Sequence, residues 1–168
     1  MYKMFGIKRL GYYLSLLLAV VVFAMPQPSL AEVRNPPYWV SIAAGQARMR
    51  TGPGRSFPAT WLYQRRDLPV RVLEIYPNWR KVEDPDGAKG WIQSNLLSEK
   101  RTAMVRGGVV AMREAPNPSA KILWRAAPGV IGRVTKCQSS YCEFDVLGKI
   151  GYVEIASLWG ITPGEAID

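Results

Sequence analysis

Val70-Arg71-Val72-Leu73-Glu74-Ile75-Tyr76 is closed by Pro77-Asn78; Trp79-Arg80-Lys81-Val82-Glu83 follows and is closed by Asp84-Pro85-Asp86-Gly87. Gly90-Trp91-Ile92 then opens a third run. Runs of about five residues rich in β-branched and aromatic side chains, punctuated by Pro, Asn, Asp and Gly, read as short strands of a sandwich or small barrel. No stretch of about a dozen residues beyond the N-terminal segment carries a helical apolar period. Ser94 to Leu97 has room for one turn of 3₁₀ helix. The fold class is therefore all-β.

The same pattern occurs twice. Ala47-Arg48-Met49-Arg50 is echoed by Val110-Ala111-Met112-Arg113, with Pro53 and Pro116 three residues after each final arginine. Trp79-Arg80-Lys81-Val82 corresponds to Tyr141-Cys142-Glu143-Phe144, and Gly90-Trp91-Ile92 to Gly151-Tyr152-Val153. The offset is 63 residues at the arginines and 61 at the glycines. So long a period with so few gaps indicates a duplicated domain rather than a solenoid. Each unit is close to the lower size limit for a self-supporting core. The spacer is only Ser98 to Arg101, so the two units are expected to pack on each other. The domains are expected at residues 38–98 and 102–161.

Before them stands a targeting segment. Lys3, Lys8 and Arg9 precede an apolar stretch from Leu10 to Met25, then Pro26, Pro28 and Ser29-Leu30-Ala31. This is the pattern of a secretory signal peptide over residues 1–31, cleaved after Ala31. The apolar stretch is short for a bilayer span, which needs about 20 residues; an uncleaved anchor is the alternative. Cleavage takes three of the 22 basic residues and none of the 13 acids, leaving 19 against 13 and a net charge of +6. The charge is spread along the chain, which serves solubility and weak attraction to anionic surfaces. No base-reading motif accompanies it, so nucleic acid is not an expected partner. The two cysteines, Cys137 and Cys142, flank a polar Gln-Ser-Ser-Tyr tip between apolar runs. Their even number and the exported context favour one disulfide. A redox Cys-x-x-Cys beside a βαβ unit is absent.

Several of these residues resemble a known family. Arg48-Met49-Arg50-Thr51-Gly52-Pro53-Gly54 looks like the opening of a bacterial SH3-like domain, and Val82 with Gly90-Trp91-Ile92 looks like its later strands. Trp61-Leu62-Tyr63, Asp67-Leu68-Pro69-Val70, Asn78-Trp79-Arg80, Arg101-Thr102, the two cysteines and Leu158-Trp159-Gly160 resemble proteobacterial envelope proteins with two such domains. The resemblance covers Tyr38 to Leu97 and Thr102 to Ile161. It implies two tandem SH3-like β-barrels in a periplasmic or secreted protein, with cell-wall binding, protein contact or scaffolding as its range of roles. The second unit departs from the pattern: Glu114-Ala115 replaces the first Gly position and Tyr152 the usual Trp.

Catalysis has little to work with. The chain contains no histidine, which removes Ser-His and Cys-His nucleophiles and most zinc sites. Asp84 and Asp86 are the nearest carboxylate pair for glycoside hydrolysis, but beside Pro85 and Gly87 they read as turn residues. The loop Gly52-Pro53-Gly54 has neither the helix nor the lysine of a phosphate-binding loop. The expectation is a non-enzyme without metal or cofactor. The aromatics are the better candidates. Strand residues three apart point to opposite faces, so with Val82 in the barrel Trp79 faces outward, while Trp61 and Tyr63 share one face and Leu62 takes the other. An outward ring stacks on a sugar or a peptide, or else packs against a loop or buries the contact between the barrels; Trp91 is expected to be structural. Arg50, Arg55, Arg65, Arg66, Arg80 and Lys81 flank the aromatics and suit the carboxylates of envelope polymers. The expected ligand-binding set is Arg50, Arg55, Trp61, Tyr63, Trp79 and Arg80. The expected partner is peptidoglycan or another cell-wall component, with a periplasmic protein as the alternative.

Overall fold

The structure, a computed structural model, describes residues 34–165 and 167. The expected leader lies outside these residues. No helix among the described residues is long and apolar enough to cross a membrane.

Among the described residues fourteen strands form two sheets of seven. The first sheet holds β1 (Tyr38–Ile42), β2 (Ala47–Arg50), β3 (Ala59–Tyr63), β4 (Pro69–Tyr76), β5 (Trp79–Glu83), β6 (Lys89–Gln93) and β7 (Leu97–Ser98), in the order β3-β2-β6-β5-β4-β1-β7. The second holds β8 (Thr102–Val105), β9 (Val110–Arg113), β10 (Ile122–Ala126), β11 (Ile131–Gln138), β12 (Tyr141–Val146), β13 (Lys149–Glu154) and β14 (Leu158–Trp159), in the equivalent order β10-β9-β13-β12-β11-β8-β14. All pairings are antiparallel, and each unit is a small, barrel-like sheet. Ser94–Leu96 forms the 3₁₀ turn anticipated from the sequence, and Ile155–Ser157 is its counterpart.

The hairpins follow from the turn residues. Tyr76 pairs with Trp79, so Pro77-Asn78 is a two-residue turn. The register slips by one residue at Leu73 and, equivalently, at Thr135; such bulges sharpen the twist that a small barrel needs. At the second hairpin Gln138 pairs with Tyr141. The tip is therefore Ser139-Ser140 alone, two residues shorter than the sequence suggested, with Ser139 at a φ of 55°. Cys137 and Cys142 face each other across the strands and form the disulfide, Cα–Cα 4.1 Å.

Each barrel has its own core. The first is built on Ile42, Met49, Val70, Val72, Val82 and Ile92, the second on Val105, Met112, Val134, Cys142, Phe144 and Val153. Gly90 lets β6 pass under β2: a Cβ there would stand 2.5 Å from Met49 Cγ and 2.8 Å from the Arg50 carbonyl. Gly151 does the same beneath Met112. The barrels meet closely. Trp39 stands edge-on to Trp159 at 4.9 Å. The Trp39 indole N–H donates to Thr162 Oγ1 at 2.9 Å, and the Thr102 hydroxyl to the Asp67 carbonyl at 2.8 Å. Met104 and Ile131 of the second sheet pack against the first core.

Candidate functional site

Along β5 the alternation puts Val82 in the core and Trp79 and Lys81 on the opposite face. Trp79 is absent from the core cluster that contains Val82, as its strand parity requires. It is nonetheless only 8% exposed. The expectation of a solvent-facing ring is corrected here: the outer face of the first barrel is itself recessed.

That recess is a cavity of about 380 Å³ lined by Gln46, Arg48, Arg50, Arg55, Leu62, Trp79, Gln93 and Leu96. Its construction is local. Arg48 and Arg50 are two apart on β2 and share the outer face, Leu62 lies across from Arg48, and Gln93 across from Trp79. Arg55 comes from the eight-residue loop between β2 and β3. Arg50 Nη1 donates to the Phe57 carbonyl of that loop at 2.6 Å. A Cβ at position 52 would stand 2.4 Å from the Phe57 ring, so a larger residue there would displace that exposed ring. The lining therefore holds three guanidinium groups, two amides, apolar Leu62 and Leu96, one indole, and no acid. Among the described residues no ion pair ties down Arg48, Arg50 or Arg55. Unpaired cations around a recess raise the local concentration of anions.

Of the expected set, Arg50, Arg55 and Trp79 come together here; Trp61, Tyr63 and Arg80 do not. Trp61 lies opposite buried Met49 on the edge strand β3 and is 58% exposed. Tyr63 packs on the core, and its hydroxyl donates to Asp84 Oδ2 at 2.7 Å. Burial and the Asp84 carboxylate push the Tyr63 phenol far above its ordinary value. Asp84 Oδ1 accepts the N–H groups of Asp86 and Ala88, so this carboxylate builds its turn. Arg80 shares the Val82 face, where its Nε–H donates to the Tyr38 hydroxyl at 3.1 Å and its Nη1 to the carbonyls of Tyr76 and Trp79. Of the other basic residues singled out, Arg65 donates to the Gly129 carbonyl of the second barrel and Lys81 pairs with Glu74 at 2.6 Å. Trp91, expected to be structural, is half-buried on the outer face, edge-on to Tyr76 at 6.3 Å, while its neighbour Ile92 fills the core. Gln46, Arg48, Leu62, Gln93 and Leu96 were not in the expected set. Two-residue parity with Arg50 and Trp79's cross-strand neighbour would have found Arg48 and Gln93.

The second barrel carries a counterpart of about 220 Å³, lined by Val109, Val110, Ala111, Arg113, Tyr141, Glu154 and Ser157. Tyr141 holds the place of Trp79, and its hydroxyl donates to Glu154 Oε1 at 2.9 Å. Burial and that carboxylate hold the Tyr141 phenol above its ordinary value. Among the described residues no group of three or more His, Cys, Asp or Glu side chains is placed to hold a metal ion.

A family model described as "Bacterial SH3 domain" matches residues 43–99 and 106–160. No curated protein matches the chain. Solved structures similar to it include NlpC2 and NlpC1 from Trichomonas vaginalis, each 13% identical. They cover 76% and 80% of this chain and 49% and 50% of theirs, both with a TM-score of 0.34. An NlpC/P60 family protein from Bacillus cereus is 11% identical over 77% of this chain and 58% of that one, TM-score 0.33. The chain spans about half the length of these proteins.

Proposed function

The chain belongs to the bacterial SH3 domain family, with two copies in tandem, and on that premise we propose that it is a non-catalytic binding module of the bacterial envelope. Its ligand is peptidoglycan or another cell-wall component, taken up in the outer-face cavity of the first barrel. We take the domains as residues 38–98 and 102–161, behind a cleaved leader over residues 1–31, in a periplasmic or secreted protein.

The observation that carries this reading is the cavity itself. A flat indole lies in a recess with three guanidinium groups and no acid in its lining. The small part of the Trp79 indole that lines the recess offers an apolar contact to a sugar ring or peptide segment, and guanidinium groups pair with carboxylates in a planar, two-pronged geometry. Cell-wall polymer offers both partners. The chain's chemistry agrees with binding without turnover: it has no histidine, and the best carboxylate, Asp84, is committed to Tyr63 and two backbone N–H groups. Contact with a periplasmic protein is the second reading. It is favoured by Trp61 and Trp124, which sit at equivalent places on the two edge strands and are 58% and 43% exposed. Sedimentation with purified insoluble peptidoglycan tests the first reading. The protein is expected in the pellet; protein left wholly in the supernatant, together with co-purification of one envelope protein, would transfer the function to the edge strands.

A further inference from the structure

The two barrels share one fold and one cavity position, so the residues that differ between the cavities report what each can bind. Arg50 is kept as Arg113. Arg48 becomes Ala111, and Arg55, in a loop of equal length, becomes Pro118. Gln93, which faces Trp79 across the strands, becomes Glu154, which faces Tyr141. The lining thus changes from three cations and no acid to one cation and one acid. The second barrel does carry a cation nearby: Arg125 lies across from Ala111, where Leu62 lies across from Arg48. It is exposed on the edge strand and is not part of the cavity lining. The ring changes as well. Trp79 lies at the first cavity, whereas the Tyr141 hydroxyl is held by Glu154, which would also repel an entering anion.

We infer that the first cavity is a carboxylate-binding site and that the second is not, the discrimination resting on Arg48 against Ala111, Arg55 against Pro118 and Gln93 against Glu154. This deepens the cell-wall reading by naming the group recognised: a free carboxylate carried next to an apolar or ring face. The carboxylate lies among Arg48, Arg50 and Arg55, with the Gln93 amide as a neutral donor and Trp79 beneath the adjoining carbons. The chain thereby reads a polymer's uncapped carboxylates and passes over amidated or cross-linked ones. Binding is level at neutral and mildly alkaline pH and fades as the ligand carboxylate protonates, at about pH 4.

A titration of the isotope-labelled protein with glutarate, read by NMR at the indole N–H of Trp79 and the Nε–H groups of the three arginines, tests this directly. Glutaramide, its uncharged diamide, is the control. The expected result is a saturable shift at these groups with glutarate, none with glutaramide, and none around Tyr141 and Arg113. Arg48→Ala, a change at an exposed strand position, should weaken glutarate about tenfold while leaving the spectrum of the fold intact, as expected for the loss of one charge-assisted hydrogen bond. Arg55→Ala is the second variant, on a loop outside the barrel core. Equal shifts with glutaramide, equal shifts in the second barrel, or full affinity in both variants would overturn the inference. Native and carboxyl-amidated peptidoglycan, compared by sedimentation, separate it from the parent reading. Glutarate binding without retention by native polymer rejects the cell wall and keeps the carboxylate site. Equal retention of native and amidated polymer rejects the carboxylate site and keeps the cell wall.

Discussion

Replacing Trp79 with Ala is the most informative single perturbation of the fold around the site. The ring is only 8% exposed, and a tryptophan side chain buries roughly 200 Å². At about 25 cal/mol per Å² the transfer contribution is roughly 5 kcal/mol, an upper bound because the unfolded chain already covers part of that surface. Two features lower it. Trp79 lies outside the core cluster, and its recess also holds Arg48, which is exposed, and Arg50, which is half-buried. Truncation leaves a space open to water rather than a sealed void, so the cavity penalty of a core substitution is largely absent. The expected loss is about 2–3 kcal/mol, roughly a 10 °C fall in Tm for a protein of this size. Trp91→Ala should cost less, about 1–2 kcal/mol, because its ring is half-buried and its main neighbour, Tyr76, is exposed. Thermal melting of both variants by near-ultraviolet circular dichroism is the assay. A larger loss for Trp91→Ala than for Trp79→Ala would refute the assignment of Trp79 to a covered outer face.

Three further outcomes follow from the contacts. Tyr63→Phe strands the buried Asp84 carboxylate without its hydroxyl donor, and should destabilise by about 1–3 kcal/mol in chemical denaturation, whereas Trp61→Phe should be near neutral. Reducing the Cys137–Cys142 bridge reopens a short loop, for which the chain-entropy model gives about 2 kcal/mol. Hydrogen exchange should report that loss in the second barrel and leave the first unchanged. Finally, burial would raise the Glu165 carboxyl, but the Arg101 ion pair and the Thr162 N–H outweigh it and hold it below its ordinary 4.5. Glu83, beside Arg71 and Lys89, is lowered in the same way. Stability should therefore be full above pH 4.5 and fall as acid protonates these two groups in the folded state. At the other end, Tyr63 and Tyr141 are raised above 10.0, so stability should decline as pH climbs past 10. Acid and alkaline melting curves, with Glu165→Gln flattening the acid limb, check both signs.

The strand pattern from Val70 to Glu83 was legible because turn residues and β-branched runs are local signals. The duplication was legible because it left paired motifs at a nearly constant offset. The Cys137–Cys142 bridge could be read from the hairpin that lies between them. Parity placed Trp79 opposite Val82 correctly. It could not show that the outer face is recessed, because the residues sharing that recess, Leu62 and Arg48 among them, lie 17 and 31 positions earlier in the chain. Proximity in sequence misled at Arg80, which shares the face of Val82 and is bound to Tyr38. Tyr63 was drawn away from any ligand by Asp84, a partner 21 residues distant. Arg48 was within reach of the same parity rule that placed Trp79, and only its neighbour Arg50 was taken up. Long-range pairing across the barrel, rather than local pattern, decides which cations end up together.

We propose that the first barrel holds cell-wall polymer at the Arg48–Arg50–Arg55–Trp79 cavity without cleaving it. The most direct measurement is a sedimentation isotherm on purified insoluble peptidoglycan for the native protein and the Arg48→Ala/Arg55→Ala double variant, with the supernatant assayed for released sugar and peptide fragments. The expected result is saturable retention of the native protein, at least a tenfold loss in the double variant at unchanged Tm, and no fragments. Equal retention of both proteins, or soluble fragments accumulating with time, would contradict it.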